Sequence, residues 1–175
     1  MLVVATGSVG CSGQADRSDA PAGTSARGSI TVTSSAFTDG GRIPEEFTCH
    51  GAGTSPPLSW TGLPSNTRSV AVVVVDPDAP GGTFVHWVLV GLPPDQQELV
   101  SGTVPPDATQ ARNSGGAVGW TPPCPPSGTH HYRFTVYALN GPVDVADGAD
   151  PDTSVRAVEG AGIADGTLTG LVSAG

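Results

Sequence analysis

Apolar positions in this chain come in short bursts separated by glycine- and proline-rich stretches, and inside most bursts they fall at every second residue. "SITVTSSAF" (29–37) alternates and is β-branched, which predicts a first strand. "SVAVVVVD" (69–76) is almost continuously apolar, the pattern of a central strand covered on both faces. "TFVHWVLVGL" (83–92) and "HHYRFTVYAL" (130–139) are enriched in aromatic and β-branched residues and predict two more strands. "GGRIPEEFTCHGAGTSPPLSW" (40–60) is mostly turn chemistry, with room for a short strand near Phe47. The final stretch, "DPDTSVRAVEGAGIADGTLTGLVS", accommodates one short helix from about Asp152, capped by Asp or Thr. No internal repeat or long helical period is present. Such a pattern predicts a single antiparallel sandwich or barrel.

Strand alternation then sorts the polar side chains. In 83–92, His86 is expected to share a face with Phe84, Val88 and Val90, leaving Val85, Trp87 and Leu89 on the other. In 130–139, His130 groups with Tyr132, Phe134 and Val136, opposite His131, Arg133 and Thr135. His86 and His130 thus each begin an otherwise apolar stripe. A polar group there lines a pocket, or it is buried and must find a partner. Just upstream, "DPDAP" (76–80) places Asp76 and Asp78 at the mouth of the valine strand.

Composition narrows the function classes. The 175 residues carry a net charge of −9, with seven arginines scattered singly and no lysine. Nucleic acid, whose binding needs clustered cations, is therefore not an expected partner. Polybasic docking to an anionic membrane is excluded on the same ground. Glycine (25) and proline (17) favour turns over long helices.

The start, "MLVVATGSVGC", is apolar but too short to span a bilayer, which takes about 20 residues. It resembles the tail of a truncated bacterial lipoprotein signal (1–11), with Gly10 before a lipidated Cys11. No basic residue precedes the apolar run, and Ser8 stands where such signals usually carry leucine. Residues 12–28 are small, polar and aperiodic, as a flexible tether would be, and the folded domain is expected over 29–175. This predicts export with anchoring at the cell envelope, membrane contact coming only through the lipid. Cytoplasmic residence is the alternative if the N-terminus is no signal. With Cys11 lipidated, Cys49 and Cys124 remain as an even pair, either disulfide-bonded or free buried thiols.

Taken in order, "GGRIPEEFTCHGAGTSPPLSW", "DPDAP", "HW" and "GWTPPCPPSGTHHYRFTVYAL" resemble the phosphatidylethanolamine-binding protein family. The nearest branch is its bacterial members, often called Raf-kinase-inhibitor-like proteins, and the likeness runs from about Ser29 to the C-terminus. The resemblance implies an all-β fold with a short C-terminal helix, an antiparallel Greek-key sandwich with one anion-accepting pocket at its end. Carried over by position, it implies a ligand site of Asp76, Pro77, Asp78, His86, His130 and Tyr132, with Pro123 in the adjoining turn. It also makes Asp76–Pro77 a candidate cis bond. Thr121-Pro122-Pro123 replaces a glycine-containing lip, Ala161 and Val172 stand where the family often has His and Tyr, and His50 replaces a usual acidic residue.

Two aspartates would repel a phosphate, so their expected role is to accept hydrogen bonds from backbone N–H groups and imidazole, with His86 or His130 and the Tyr132 hydroxyl donating to the anion. The expected function is thus non-enzymatic binding of a phosphate-like anion or phospholipid head group, without a cofactor or resident metal. A regulator that binds a protein partner, a serine protease or a kinase, is the alternative. A two-histidine, one-carboxylate metalloenzyme lacks any HxH or HExxH spacing, and a serine hydrolase lacks the G-x-S-x-G elbow.

Overall fold

The computed structural model describes residues 1–2 and 27–175, so Cys11 of the expected lipoprotein signal, and the expected tether through residue 26, lie outside the described residues. The elements in order are β1 (Gly28–Ser29), β2 (Thr31–Thr33), β3 (Gly41–Arg42), β4 (Leu58–Thr61), β5 (Ser69–Asp76), β6 (Phe84–Leu92), β7 (Glu98–Leu99), β8 (Thr109–Gln110), β9 (Thr129–Leu139), α1 (Pro151–Ala161) and β10 (Gly162–Ser173). The larger sheet runs β1-β10-β9-β5-β6-β8, with β3 also pairing on β10, and the smaller runs β2-β4-β7. Strands β5, β6 and β8 are successive antiparallel neighbours, and β9 returns to lie beside β5. That is the Greek-key order.

The valine strand explains the layering. Val70, Val72 and Val74 share one core with Val32, Leu58, Trp60 and Leu99 of the smaller sheet. Ala71 and Val73 turn the other way, into a second core with Val158 of α1. Both faces of β5 are therefore covered, and each buried valine contributes roughly 1.5–3 kcal/mol. The mostly β architecture with one short helix is the expected one.

Several details differ from the sequence reading. "SITVTSSAF" is not one strand: the chain leaves the larger sheet after Ser29 and enters the smaller at Thr31. Phe47 lies in a 3-10 turn (Glu45–Phe47) entered from Pro44, not in a strand. The larger sheet is not wholly antiparallel, because β1 and β3 both join β10 in parallel. The helix starts one residue early, at Pro151, with the Asp150 carboxylate accepting from Thr153 N–H at 2.8 Å as the N-cap.

The long β10 had little to announce it, being rich in glycine. Two of those glycines are required by close approach. A Cβ on Gly166 would sit 1.8 Å from the Ile30 carbonyl oxygen, and one on Gly170 would meet Ile43 at 2.4 Å. Neither position tolerates a side chain, since backbone or packed core lies in the way.

Cys49 and Cys124 are joined by a disulfide, with Cα atoms 5.4 Å apart and a sequence separation of 75. The bond is reinforced by Cys49 N–H donating to the Pro123 carbonyl at 3.0 Å.

Candidate functional site

Asp76 ends β5, His86 lies near the start of β6, and His130 and Tyr132 open β9. Because β5 is flanked by β6 and β9, all four side chains converge at one end of the larger sheet. They line a hollow of about 340 Å³ together with Phe84, Thr121, Pro122, Cys124 and Pro126. A larger concavity of about 610 Å³ lies across the smaller sheet, over Ser59, Thr61 and Gln97, away from all four. The smaller hollow is the one that gathers Asp76, His86, His130 and Tyr132.

A β-bulge aims His86. Val74 pairs with Trp87, and the next residue, Val75, pairs with Val85, so His86 is the extra residue on β6. Alternation is broken there. The expectation that His86 shares a face with Val88 and Val90 is corrected: those two pack with Val85 against the helix side. His86 instead lies against Phe84, Tyr132 and Trp120, with ring centroids 4.7, 5.1 and 6.3 Å away, on the side of Trp87 and Leu89. Freed from the ladder, the His86 carbonyl accepts from Thr121 N–H at 3.0 Å, while its Nδ1–H donates back to the Thr121 carbonyl at 2.8 Å. A carbonyl can only accept, so the proton is on Nδ1. Burial pushes the imidazole below the ordinary histidine range, offset in part by this bond and by Asp76.

The two aspartates are holders of neighbours. Asp76 is 3% exposed; its Oδ1 accepts from Asp78 N–H at 2.9 Å and its Oδ2 from His130 Nδ1–H at 2.6 Å. Asp78 points outward and accepts at Oδ2 from both the backbone N–H (2.8 Å) and the Nδ1–H (2.7 Å) of His131. Consecutive histidines on opposite faces of β9 thus grip both carboxylates of one turn. Tyr132 lies between the two inward imidazoles, 5.1 and 6.5 Å from them centre to centre. Burial, with smaller contributions from Asp76 and Asp78, holds its hydroxyl well above the ordinary tyrosine range, so it remains an O–H donor.

Three expected ligand residues fall elsewhere. Asp78 lies in the turn beyond the end of β5, where its carboxylate faces solvent and meets His131. Pro77 lines a separate depression beside Arg133 and Glu159. Pro123 is buried behind the rim, its carbonyl engaged by Cys49. Nor is Asp76–Pro77 cis: no cis peptide occurs among the described residues. Trans is the lower-energy form before proline by roughly 0.5–1 kcal/mol. The sequence reading missed His131 as the partner of Asp78, although its place on the opposite face beside His130 was the available signal. It also missed Phe84 and Pro126, which carry no ionisable group to mark them.

Among the described residues, the His, Cys, Asp and Glu group with all ligand atoms within 4.8 Å of one another is Cys49, His50 and Cys124. Its two sulfurs are bonded to each other. Asp76, His86 and His130 do not form such a cluster.

The outward clasp gives one test. The two bonds from His131 hold the Asp78 carboxyl below the ordinary aspartate range. Stability from the clasp is therefore present above the unfolded-state value, about 3.9, and lost as pH falls through the lower folded value. In His131→Ala the Asp78 carboxyl is expected to titrate higher, towards 3.9, by carbon-detected NMR. An unchanged titration would show that the clasp does not form in solution.

Comparison with known proteins gives the same lineage from three directions. The family model described as phosphatidylethanolamine-binding protein matches residues 33–173. A "UPF0098 protein" of Methanothermobacter thermautotrophicus is 40% identical over 151 residues, covering 83% of this chain and all of the relative. LppC of Mycobacterium tuberculosis, described as a candidate lipoprotein, is 40% identical over 143 residues, covering 81% of this chain and 71% of that one. Among solved structures, Escherichia coli YbcL, described as a member of the mammalian PEBP family, superposes with a TM-score of 0.78 at 32% identity, covering 83% of this chain and 99% of its own. CT736 of Chlamydia trachomatis, described as a candidate homologue of the same family, gives 0.78 at 34%, covering 84% and 99%. The hollow, the strands that frame it and these likenesses agree: the chain belongs to the phosphatidylethanolamine-binding protein family.

Proposed function

We propose that this protein is a non-enzymatic binding module that takes a small phosphate-bearing or similar anion into the hollow formed by Asp76, His86, His130 and Tyr132. One observation carries the reading. Two imidazoles and a phenol converge on about 340 Å³ of open space, each imidazole with Nδ1 already committed and Nε2 without a hydrogen-bond partner among the described residues. Polar atoms held so firmly by a rigid frame are suited to a guest, since little ordering entropy is lost on binding. The aromatic wall of Phe84 and the prolines of 122 and 126 supply the apolar part of such a site.

The same reading places the protein outside the cytoplasm, held at the envelope through Cys11. Support comes from the disulfide, which belongs to an oxidising compartment, and from the lipoprotein description of LppC. No helix among the described residues is long and apolar enough to cross a membrane. Mass spectrometry of protein from its own host should find lipid on Cys11; a chain retaining residues 1–10 with a free thiol there would refute the anchor.

Calorimetric titration with inorganic phosphate and phosphoethanolamine should give one site with no turnover of the ligand. No heat at millimolar ligand, with no chemical-shift change at His86 or His130, would end the proposal.

A further inference from the structure

We propose that reduction of the Cys49–Cys124 disulfide uncovers a metal site, in which Cys49, Cys124 and His50 together bind one zinc-like divalent cation. The site is separate from the set of Asp76, His86, His130 and Tyr132, although Cys124 also lines their hollow.

The basis is a ligand set gathered from two remote stretches of chain. One ligand atom from each of Cys49, His50 and Cys124 lies within 4.8 Å of the other two, and all three residues are exposed. Two thiolates and an imidazole suit zinc, with metal–sulfur bonds of about 2.3 Å and metal–nitrogen bonds of about 2.0–2.1 Å. Around a tetrahedral ion of that size the ligand atoms stand roughly 3.6–3.8 Å apart. With Cα atoms 5.4 Å apart, side-chain rotation gives the two sulfurs that spacing once they are no longer bonded. Nor does the disulfide alone hold the frame. Cys49 N–H donates to the Pro123 carbonyl at 3.0 Å, and the Trp120 indole N–H donates to the Gly53 carbonyl at 2.9 Å. His50 N–H donates to Thr48 Oγ1 at 3.3 Å, and that hydroxyl donates to the Glu45 carbonyl at 2.8 Å. The two segments therefore stay opposed when the bond opens, and a site so preorganised loses little entropy on binding.

A dithiol reductant opens the bond by exchange. Its first thiolate attacks one sulfur, its second displaces the resulting mixed disulfide, and two electrons and two protons end on Cys49 and Cys124. The reductant leaves as its own disulfide. The ion then displaces both thiol protons and is held by two thiolates and the neutral His50 ring. Three protein ligands leave a fourth tetrahedral position to water or another small ligand. Disulfide and metal are thus mutually exclusive ties between the turn after the 3-10 segment and the proline-rich wall of the hollow.

The experiment takes the full chain, reduced with a dithiol and then freed of it without oxygen, beside the oxidised chain, and titrates both with cobalt(II) and zinc(II). Reduced protein should take up one cobalt per chain, with the intense visible bands of a tetrahedral ion and the ultraviolet charge-transfer band of a cobalt–thiolate bond. Zinc should displace the cobalt, and oxidised protein should show none of these signals. Zinc should also raise the melting temperature of the reduced protein and leave that of the oxidised protein unchanged, because a ligand stabilises the form that binds it. His50→Ala, at an exposed position, should keep the fold and weaken zinc binding at least about tenfold, the loss usual even for an outer-shell partner of a metal. Cys11→Ser should bind zinc as the wild type does. The inference is overturned if the charge-transfer band is missing from the reduced protein, if two chains share one ion, or if the oxidised form binds equally well. Unchanged affinity in His50→Ala, or lost binding in Cys11→Ser, overturns it too by placing the ligands elsewhere.

Discussion

Asp76→Ala is expected to lower stability by about 3–5 kcal/mol and to remove anion binding. Asp76 and His130 are 3% and 6% exposed and 2.6 Å apart. Breaking a buried hydrogen-bonded pair from one side leaves the other member desolvated and unmatched, which costs more than the intact pair contributes. The carboxylate also holds the Asp78 N–H that closes the turn at the rim. Loss of binding has a separate cause: with Asp76 gone, nothing fixes the His130 ring or its tautomer. Urea unfolding should show a lower midpoint with an unchanged slope, and the melting temperature should fall by roughly 6–20 °C for a chain of this size. Asp76→Asn retains an acceptor and should lose less. A stability change under about 1 kcal/mol in Asp76→Ala would mean that the pair is not held as described.

Removing the disulfide by Cys49→Ser with Cys124→Ser should cost a similar amount, about 4.5 kcal/mol by the loop-closure relation for a separation of 75 residues. The cross-link ties the turn after the 3-10 segment to the proline-rich stretch that walls the hollow. Those two regions meet again where the Trp120 indole N–H donates to the Gly53 carbonyl at 2.9 Å. Loss of the bond should therefore weaken ligand affinity as well as stability. Both cysteines are exposed, so a phosphine reductant should reproduce the effect on wild-type protein. An identical unfolding midpoint before and after reduction would count against any stabilising role.

The three strands that build the site were readable within one residue because their apolar runs are dense and β-branched. Strands β1, β3 and β10 were not read as strands of one sheet edge, because what fixes them is remote. Gly166 and Gly170 are glycine on account of Ile30, Ile43 and Phe37, which a local window cannot see. For the site, the ends of apolar stripes located Asp76, His86, His130 and Tyr132. Once β5 has ended, alternation no longer guides the reading, which is why Asp78 was expected inward and lies outward. The face of His86 was misassigned for a related reason: a bulge adds one residue, and nothing in "TFVHWVLV" marks where it falls.

The parallel seat of β1 has a consequence for orientation. Gly28 pairs with Ala164 near one end of β10, whereas His130 pairs with Val172 near the other. Eight residues of extended chain separate those points, about 26 Å at 3.3 Å per residue. The chain thus enters the folded domain at one pole, and the hollow opens at the opposite pole, so whatever precedes Gly28 reaches the domain on the side away from the mouth.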